Sequence, residues 1–344
     1  MSDIRYNLLD DRYVIIAPER LHRPEYLTWS REIHAKKACP FCEGNESMTP
    51  PEIDAIRANG SKADKKGWQA RVVPNLYKAV QIEAPNTSYA KGLYETYEGF
   101  GAHEVIIDTP KHFTSMKEWE KETFFYWLKI MQKRVADLRQ DHRLVFISLF
   151  KNHGVHAGAT QEHPHTQLIG LPVVPPETLR YYQRLHHYYH THGKSLFDDI
   201  ISQELHDQER IVIENDDFIA FCPYASAYPF EVMITAKENI GSIEFVQEKY
   251  LNTLSMFLKE LMFLMYGQLG DFDFNMSLCV PPLQRIAQTE SFFDDLGAIS
   301  RFTIRITPRI YKHGGFEIST GMMINPVSPE ESAMFLKEND RGNF

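Results

Sequence analysis

The sequence predicts a fold of β-strands and long helices laid out twice, and three observations carry that reading. Short strand-like apolar runs alternate with helix-length amphipathic stretches. The two clearest helical stretches, about Met116 to Leu138 and about Phe245 to Tyr266, each follow a strand and lead into further strands. The segments Phe230–Thr235 and Lys237–Ile243 echo His103–Asp108 and Pro110–Met116 at an offset of roughly 127 residues, a spacing of domain duplication and not of a solenoid.

The first strand falls within residues 4–17 and ends in Tyr13-Val14-Ile15-Ile16. It is followed by Pro18-Glu19-Arg20-Leu21-His22-Arg23-Pro24. Arg20 and Arg23, three apart in a proline-bounded loop, read either as solvated surface charges or as a clamp on phosphate oxygens. Cys39 and Cys42 have the spacing of a metal knuckle, in which two thiolates leave a turn towards one ion. The same spacing serves dithiol chemistry, but no thioredoxin-like strand precedes it, so zinc is expected. Two cysteines supply half a tetrahedral site, and the missing ligands are expected to be histidines. Residues 52–66 are polar and read as a loop. Trp68 to Tyr77 reads as a strand running into a turn, with Asn75 and Tyr77 available to a ligand's ring or ribose. Glu104–Asp108 is a strand with His112 just beyond it. The following helix shows an apolar face of Trp119, Phe124, Phe125, Trp127, Leu128, Met131 and Val135.

The chain is organised around what comes next. Leu144–Phe150 reads as a buried strand, Asn152 to Glu162 as a glycine-bearing loop, and Pro164 to Leu171 as a second strand. Side chains alternate along a strand, so His163, His165 and Gln167 share one face. A neutral imidazole is a competent nucleophile near neutral pH, and a carboxamide or the backbone N–H groups near Gly158 can donate to a phosphate oxygen carrying developing charge. His-x-His alone also fits a packed or metal-binding structural pair, and the glycine loop and cysteine pair favour the chemical reading. In the second copy the corresponding positions are Arg301, Thr303 and Arg305, so one copy has kept the chemistry. The two arginines read as structural or as facing an anion. Pro172 to Pro176 links the copies, dividing the chain at residues 1–176 and 177–344. His186 and His190 have the i, i+4 spacing of a helical metal pair, but no zincin pattern accompanies them, and they read as surface residues. The tail from His313 to Pro326 is a glycine-rich loop of the kind that approaches ligands.

A chain of 344 residues with a formal net charge of −9 can bury ample core, and its acidic balance argues against a nucleic-acid polymer as partner. No apolar run is long enough to span a bilayer, and the N-terminus lacks a signal-peptide core, so a cytoplasmic location is expected. Four cysteines do not make a disulfide scaffold.

Asn-x-Gly, then Ala-Gly-Ala-Thr, then His-Pro-His-x-Gln, with the upstream Cys-Pro-Phe-Cys, resembles the galactose-1-phosphate uridylyltransferase family of the histidine-triad (HIT) superfamily. The resemblance extends to Pro18–Pro24, Pro223–Glu231 and Gly315–Glu317, nearly the whole chain. It implies an α+β fold of duplicated HIT-like units with a mainly antiparallel half-barrel sheet and flanking helices, in a homodimer that shares its active sites. It implies structural zinc at Cys39, Cys42, His112 and His163. It also implies that His165 attacks the α-phosphorus of a nucleotide sugar, releasing a sugar 1-phosphate, and that a second sugar 1-phosphate takes the nucleotide from the resulting nucleotidyl-histidine. Gln167 and Thr160 would steady the phosphoryl group, while Asn75, Asn152 and Gly158 match nucleotide-contacting positions. Arg20, Arg23, Phe316 and Glu317 match residues that hold phosphates or hexose, some across the dimer interface. Such an enzyme would be a UDP-glucose:hexose-1-phosphate uridylyltransferase of galactose metabolism with ping-pong kinetics. The tail, Gly-Phe-Glu-Ile-Ser-Thr-Gly-x-x-Ile-Asn-Pro, looks as much like ADP-glucose phosphorylase, which passes the nucleotide to inorganic phosphate. Thr166 stands where the galactose enzyme commonly has Gly, and the second-half strand lacks the histidines that bind a second metal in some members. A non-catalytic, zinc-stabilised nucleotide-binding protein is the reading from another class.

Overall fold

The computed structural model describes residues 2–22, 38–57, 60–112 and 115–338. Strands β1 (Asp3–Asn7) and β2 (Arg12–Ile16) open the chain. They are followed by β3 (Asp54–Arg57), β4 (Trp68–Pro74), the hairpin β5 (Ser88–Lys91) and β6 (Tyr94–Tyr97), and β7 (Ala102–Ile107). Helix α1 (Lys121–Leu138) precedes β8 (Phe146–His153) and β9 (His165–Leu171). Helices α2 (Pro176–His192) and α3 (Leu196–Asp207) lead to β10 (Ile211–Glu214), β11 (Phe218–Phe221) and β12 (Val232–Ala236). Helix α4 (Glu248–Leu269), β13 (Phe274–Leu278), the short α5 (Leu296–Ile299) and β14 (Thr303–Pro308) complete the second half. The tail holds α6 (Gly315–Thr320), β15 (Met323–Asn325) and α7 (Pro329–Lys337).

The strand order in the large sheet is β10-β11-β12-β14-β13-β8-β9-β7-β4-β3, an open, ten-stranded sheet in which every pairing is antiparallel. Read outward from the central β8–β13 pair, the two halves mirror each other strand for strand, and α1 and α4 occupy equivalent places. The expected duplication and the mixed α+β class are borne out. One apolar core runs under both halves, with Phe124, Trp127, Leu128 and Met131 of α1 and Leu254, Leu258, Leu261 and Met262 of α4 packed on the same sheet face. Polar links fix this layer. Arg134 of α1 grips Glu104 of β7 through two hydrogen bonds of 2.8 and 2.7 Å, and Trp127 donates its indole N–H to Thr166 at 2.9 Å. Thr166 therefore serves the helix side of β9, away from the face that carries His165.

Three details differ from expectation. Residues 54–57 form the edge strand β3 inside the stretch read as a loop. The run is four residues long and half-buried, too short to show a period. The exposed hairpin of β5 and β6 had no apolar pattern to reveal it. The first long helix begins later than Met116, because the chain is extended at Trp119 and Glu120, letting Trp119 pack on Phe124 and Trp127. A separate three-stranded sheet, β1-β2-β15, joins the two ends of the chain.

Gly154, at the end of β8, has φ +83°, and a Cβ there would lie 1.7 Å from Asp273 Oδ1. Asp273 is not free to retreat, since it accepts from the His156 N–H at 2.7 Å. Gly154→Ala is expected to cost more than the ~1–2 kcal/mol of a left-handed alanine alone. Urea denaturation would show this as a lower midpoint, and a wild-type midpoint would contradict it.

Candidate active site

His165 opens β9 with a side chain only 6% exposed. Its Nδ1 donates to the carbonyl of His163 at 2.8 Å, which fixes the tautomer and leaves Nε2 unprotonated. Burial holds its pKa below the ordinary histidine value, so the ring is neutral at physiological pH. Gln167 is two residues on and faces the same side. It pairs with Phe150 of β8, so Asn152, two residues beyond Phe150, belongs to that face as well. Asn152 Oδ1 accepts from Asn275 Nδ2 at 2.8 Å, and the same amide group donates to the Ala157 carbonyl at 2.9 Å. That clamp shapes the glycine loop. Gly158, with φ +84°, ends the short 3-10 turn Val155–Ala157, and Thr160 is exposed two residues later.

The metal reading has a direct geometric test. Cys39, Cys42, His112 and His163 lie together, with ligand atoms all within 4.8 Å of one another. Cys39 Sγ is 3.7 Å from His163 Nδ1, Cys42 Sγ is 3.3 Å from His112 Nδ1 and 3.8 Å from His163 Nδ1, and the two Nδ1 atoms are 3.2 Å apart. Tetrahedral zinc, with bonds of about 2.0–2.1 Å to nitrogen and 2.3 Å to sulfur, sets its ligand atoms roughly 3.3–3.8 Å apart. The cluster fits such an ion. His163 Nε2 donates to the Thr109 carbonyl at 2.8 Å, which leaves Nδ1 as the ligand atom, and burial lowers its pKa to about 4. Burial and the adjacent Cys39 push the Cys42 thiol up to about 11.

His186 and His190 do meet a carboxylate that sequence spacing did not indicate, Asp295. Both ring nitrogens approach the same oxygen, at 2.8 and 2.7 Å, which are hydrogen-bond lengths shorter than the edges of the first cluster. These residues form a hydrogen-bonded staple between α2 and the segment before α5, with His190 exposed as expected and His186 half-buried.

Arg20, Phe316 and Glu317 lie in segments that flank the strands of the three-stranded sheet. Arg20 sits in the 3-10 turn Pro18–His22 after β2, its Nε buried with no hydrogen-bond partner among the described residues; Arg23 falls outside them. Phe316 is exposed on α6. Glu317 is buried and accepts from the Gly314 N–H at 2.8 Å, capping its own helix. Within one chain no hydrogen bond among the described residues joins Arg20, Phe316 or Glu317 to His165 or Gln167. The arginines of the second copy are structural. Arg305 binds both oxygens of Asp10 at 2.6 and 3.1 Å, and Arg301 pairs with Asp198.

Sequence reasoning missed four polar groups around the site. Asn275 orders the glycine loop from the other half of the chain. His103 bonds Gln167 and lies beside Asn75. Lys151 and Asp108 form a buried ion pair of 2.6 Å, with the Lys151 ammonium also 3.3 Å from the His165 carbonyl. Only His103 carried a signal, as a histidine at the head of the strand before His112.

With metal coupled to folding, Cys39→Ser or exhaustive chelation is expected to lower the melting temperature by several degrees and to slow any reaction that uses His165. Unchanged melting after verified metal removal would refute a structural ion.

Comparison with known proteins agrees with this geometry. Residues 1–175 match the N-terminal domain of galactose-1-phosphate uridyl transferase and residues 181–294 its C-terminal domain. The chain is 30% identical over 341 residues to an ADP-glucose phosphorylase of Arabidopsis thaliana, covering 98% of this chain and 92% of that protein. It is 24% identical over 347 residues to a galactose-1-phosphate uridylyltransferase of Thermotoga maritima, covering 99% of each. Its fold is similar to the crystal structure of an Arabidopsis thaliana ADP-glucose phosphorylase with bound ADP-glucose, at TM-score 0.80 and 28% identity over 98% of this chain and 99% of that one. The chain therefore belongs to the galactose-1-phosphate uridyl transferase family, a family of nucleotidyltransferase enzymes.

Proposed function

We propose that this protein transfers a nucleotidyl group through a covalent intermediate on His165. The observation that carries the proposal is the buried, neutral imidazole whose Nδ1–H is committed to the His163 carbonyl, leaving the Nε2 lone pair for attack. Nε2 forms a bond to the α-phosphorus of a nucleotide sugar, and the bond from that phosphorus to the oxygen of the sugar 1-phosphate breaks. The leaving group departs as a stabilised phosphate anion and needs no proton from the protein. A second phosphate-bearing acceptor then takes the nucleotide and restores the free ring, which gives ping-pong kinetics. The amide of Gln167 stabilises charge on the transferred group, joined by Thr160 and the loop around Gly158 as the donor settles. Asn75 and Asn152 hold the nucleotide.

Cys39, Cys42, His112 and His163 would hold zinc with all four positions filled by protein, and the ion would then fix the start of β9 two residues before His165. In a homodimer, Arg20, Arg23, Phe316 and Glu317 would serve the partner's site. A cytoplasmic setting suits four unpaired cysteines.

The first donor reading is UDP-glucose, with a hexose 1-phosphate as acceptor. The second, ADP-glucose with inorganic phosphate as acceptor, has a specific observation in its favour: similarity to the plant phosphorylase extends over 98% of the chain with a TM-score of 0.80. A binding protein without chemistry would not need His165 and Gln167 on one face. Intact mass after incubation with UDP-glucose, UDP-galactose or ADP-glucose separates these readings. A uridylyl or adenylyl adduct on wild type, absent in His165→Asn, is expected and names the base. No adduct with any donor would overturn the nucleotidyl-histidine.

A further inference from the structure

Among the described polar groups outside the recognised motifs, His103 reaches both β9 and the Asn75–Ala79 loop. It lies on β7, two residues before Val105, which pairs with Gln167. Its Nδ1 is 3.0 Å from the Ala79 backbone nitrogen, and its Nε2 is 3.1 Å from Gln167 Oε1 and 3.0 Å from Asn75 Nδ2. Its carbonyl accepts from the Asn75 N–H at 2.9 Å.

These contacts decide the protonation pattern. A backbone N–H can only donate, so Nδ1 is bare, and a neutral ring then carries its proton on Nε2. That proton meets Gln167 Oε1. With its oxygen occupied, the carboxamide turns its NH2 away from His103. Asn75 is oriented too, because its Oδ1 accepts from the Tyr77 N–H at 2.8 Å. Its NH2 lies 3.0 Å from His103 Nε2, so both amides pack against the one ring nitrogen.

We propose that His103 is a positioning residue for nucleotidyl transfer: one imidazole aims the Gln167 amide at the phosphoryl oxygens and holds the Asn75–Ala79 loop that receives the nucleotide. The inference rests on the roles given above to His165 and Gln167. It makes the two halves of donor recognition, base side and phosphate side, depend on a single ring.

Two amide substitutions separate these duties. In His103→Asn the side-chain oxygen stands where Nδ1 stood and keeps the Ala79 bond, while the donor to Gln167 is lost. In His103→Gln the amide nitrogen reaches the place of Nε2 and keeps Gln167 oriented, while the loop bond is lost. His103→Phe loses both. Single-turnover adduct formation by intact mass, donor KM and melting temperature are measured for each, with ADP-glucose and UDP-glucose as probes. For His103→Asn the expected result is transfer slowed by about 10-fold or more with KM near wild type, part of the ~10²–10³ that a lost oxyanion donor costs. For His103→Gln most of the rate returns and KM rises. On a Gln167→Ala background, His103→Asn adds little, because both changes remove one interaction. Equal losses of rate and affinity in the Asn and Gln variants would overturn the proposal, as would wild-type transfer by folded His103→Phe. If wild type itself forms no adduct, the nucleotidyl-histidine reading falls and this one with it. An adduct on wild type matched by every variant sinks the positioning role alone.

Discussion

Strand β8 pairs with β13 from His153↔Phe274 to Leu149↔Leu278, and this ladder turns two repeats into one sheet. Each half alone would end in an edge of unpaired backbone groups at its middle strand. Paired, they share a core in which α1 and α4 pack against each other and against one sheet face. The pairing also sets chemistry, because the register that matches Asn275 with Asn152 lets the second half hold the glycine loop of the first.

The halves are alike in path and unlike in charge. On β9 the face opposite the helices carries His165 and Gln167, whereas the equivalent β14 carries Thr303 and Arg305. Arg305 is occupied by Asp10, with Glu231 at 3.6 Å, so this half-buried guanidinium has its charge met on both sides. That position is filled by an ion pair that ties the N-terminal segment to the large sheet. The proposed chemistry is left with one strand, and the candidate metal cluster stands at the start of that strand.

Two histidines two residues apart present different nitrogens because backbone carbonyls choose their tautomers. His163 gives its Nε2–H to the Thr109 carbonyl and turns Nδ1 to the cysteines; His165 gives its Nδ1–H to the His163 carbonyl and leaves Nε2 bare. Burial keeps both rings neutral, which suits a metal ligand and a nucleophile alike. His163 thus meets the cysteines through its ring and His165 through its backbone carbonyl.

The sequence by itself determined the duplication, the principal strands and helices, the face shared by His165 and Gln167, and the half-site of Cys39 and Cys42. Each depends on periodicity or on ligand spacing along a few residues, and local geometry conveys both. Resemblance added His112 and His163 to the cysteines, and the fold brings all four within ligand distance. Tertiary structure alone decided the rest. Asn275 reaches Asn152 across the junction of the copies, Arg305 is paired by a residue from the other end of the chain, and His103 meets Gln167 only because β7 and β9 are neighbours. Such contacts join residues far apart in sequence. Which donor faces which acceptor depends on strand order and register, which no local pattern encodes.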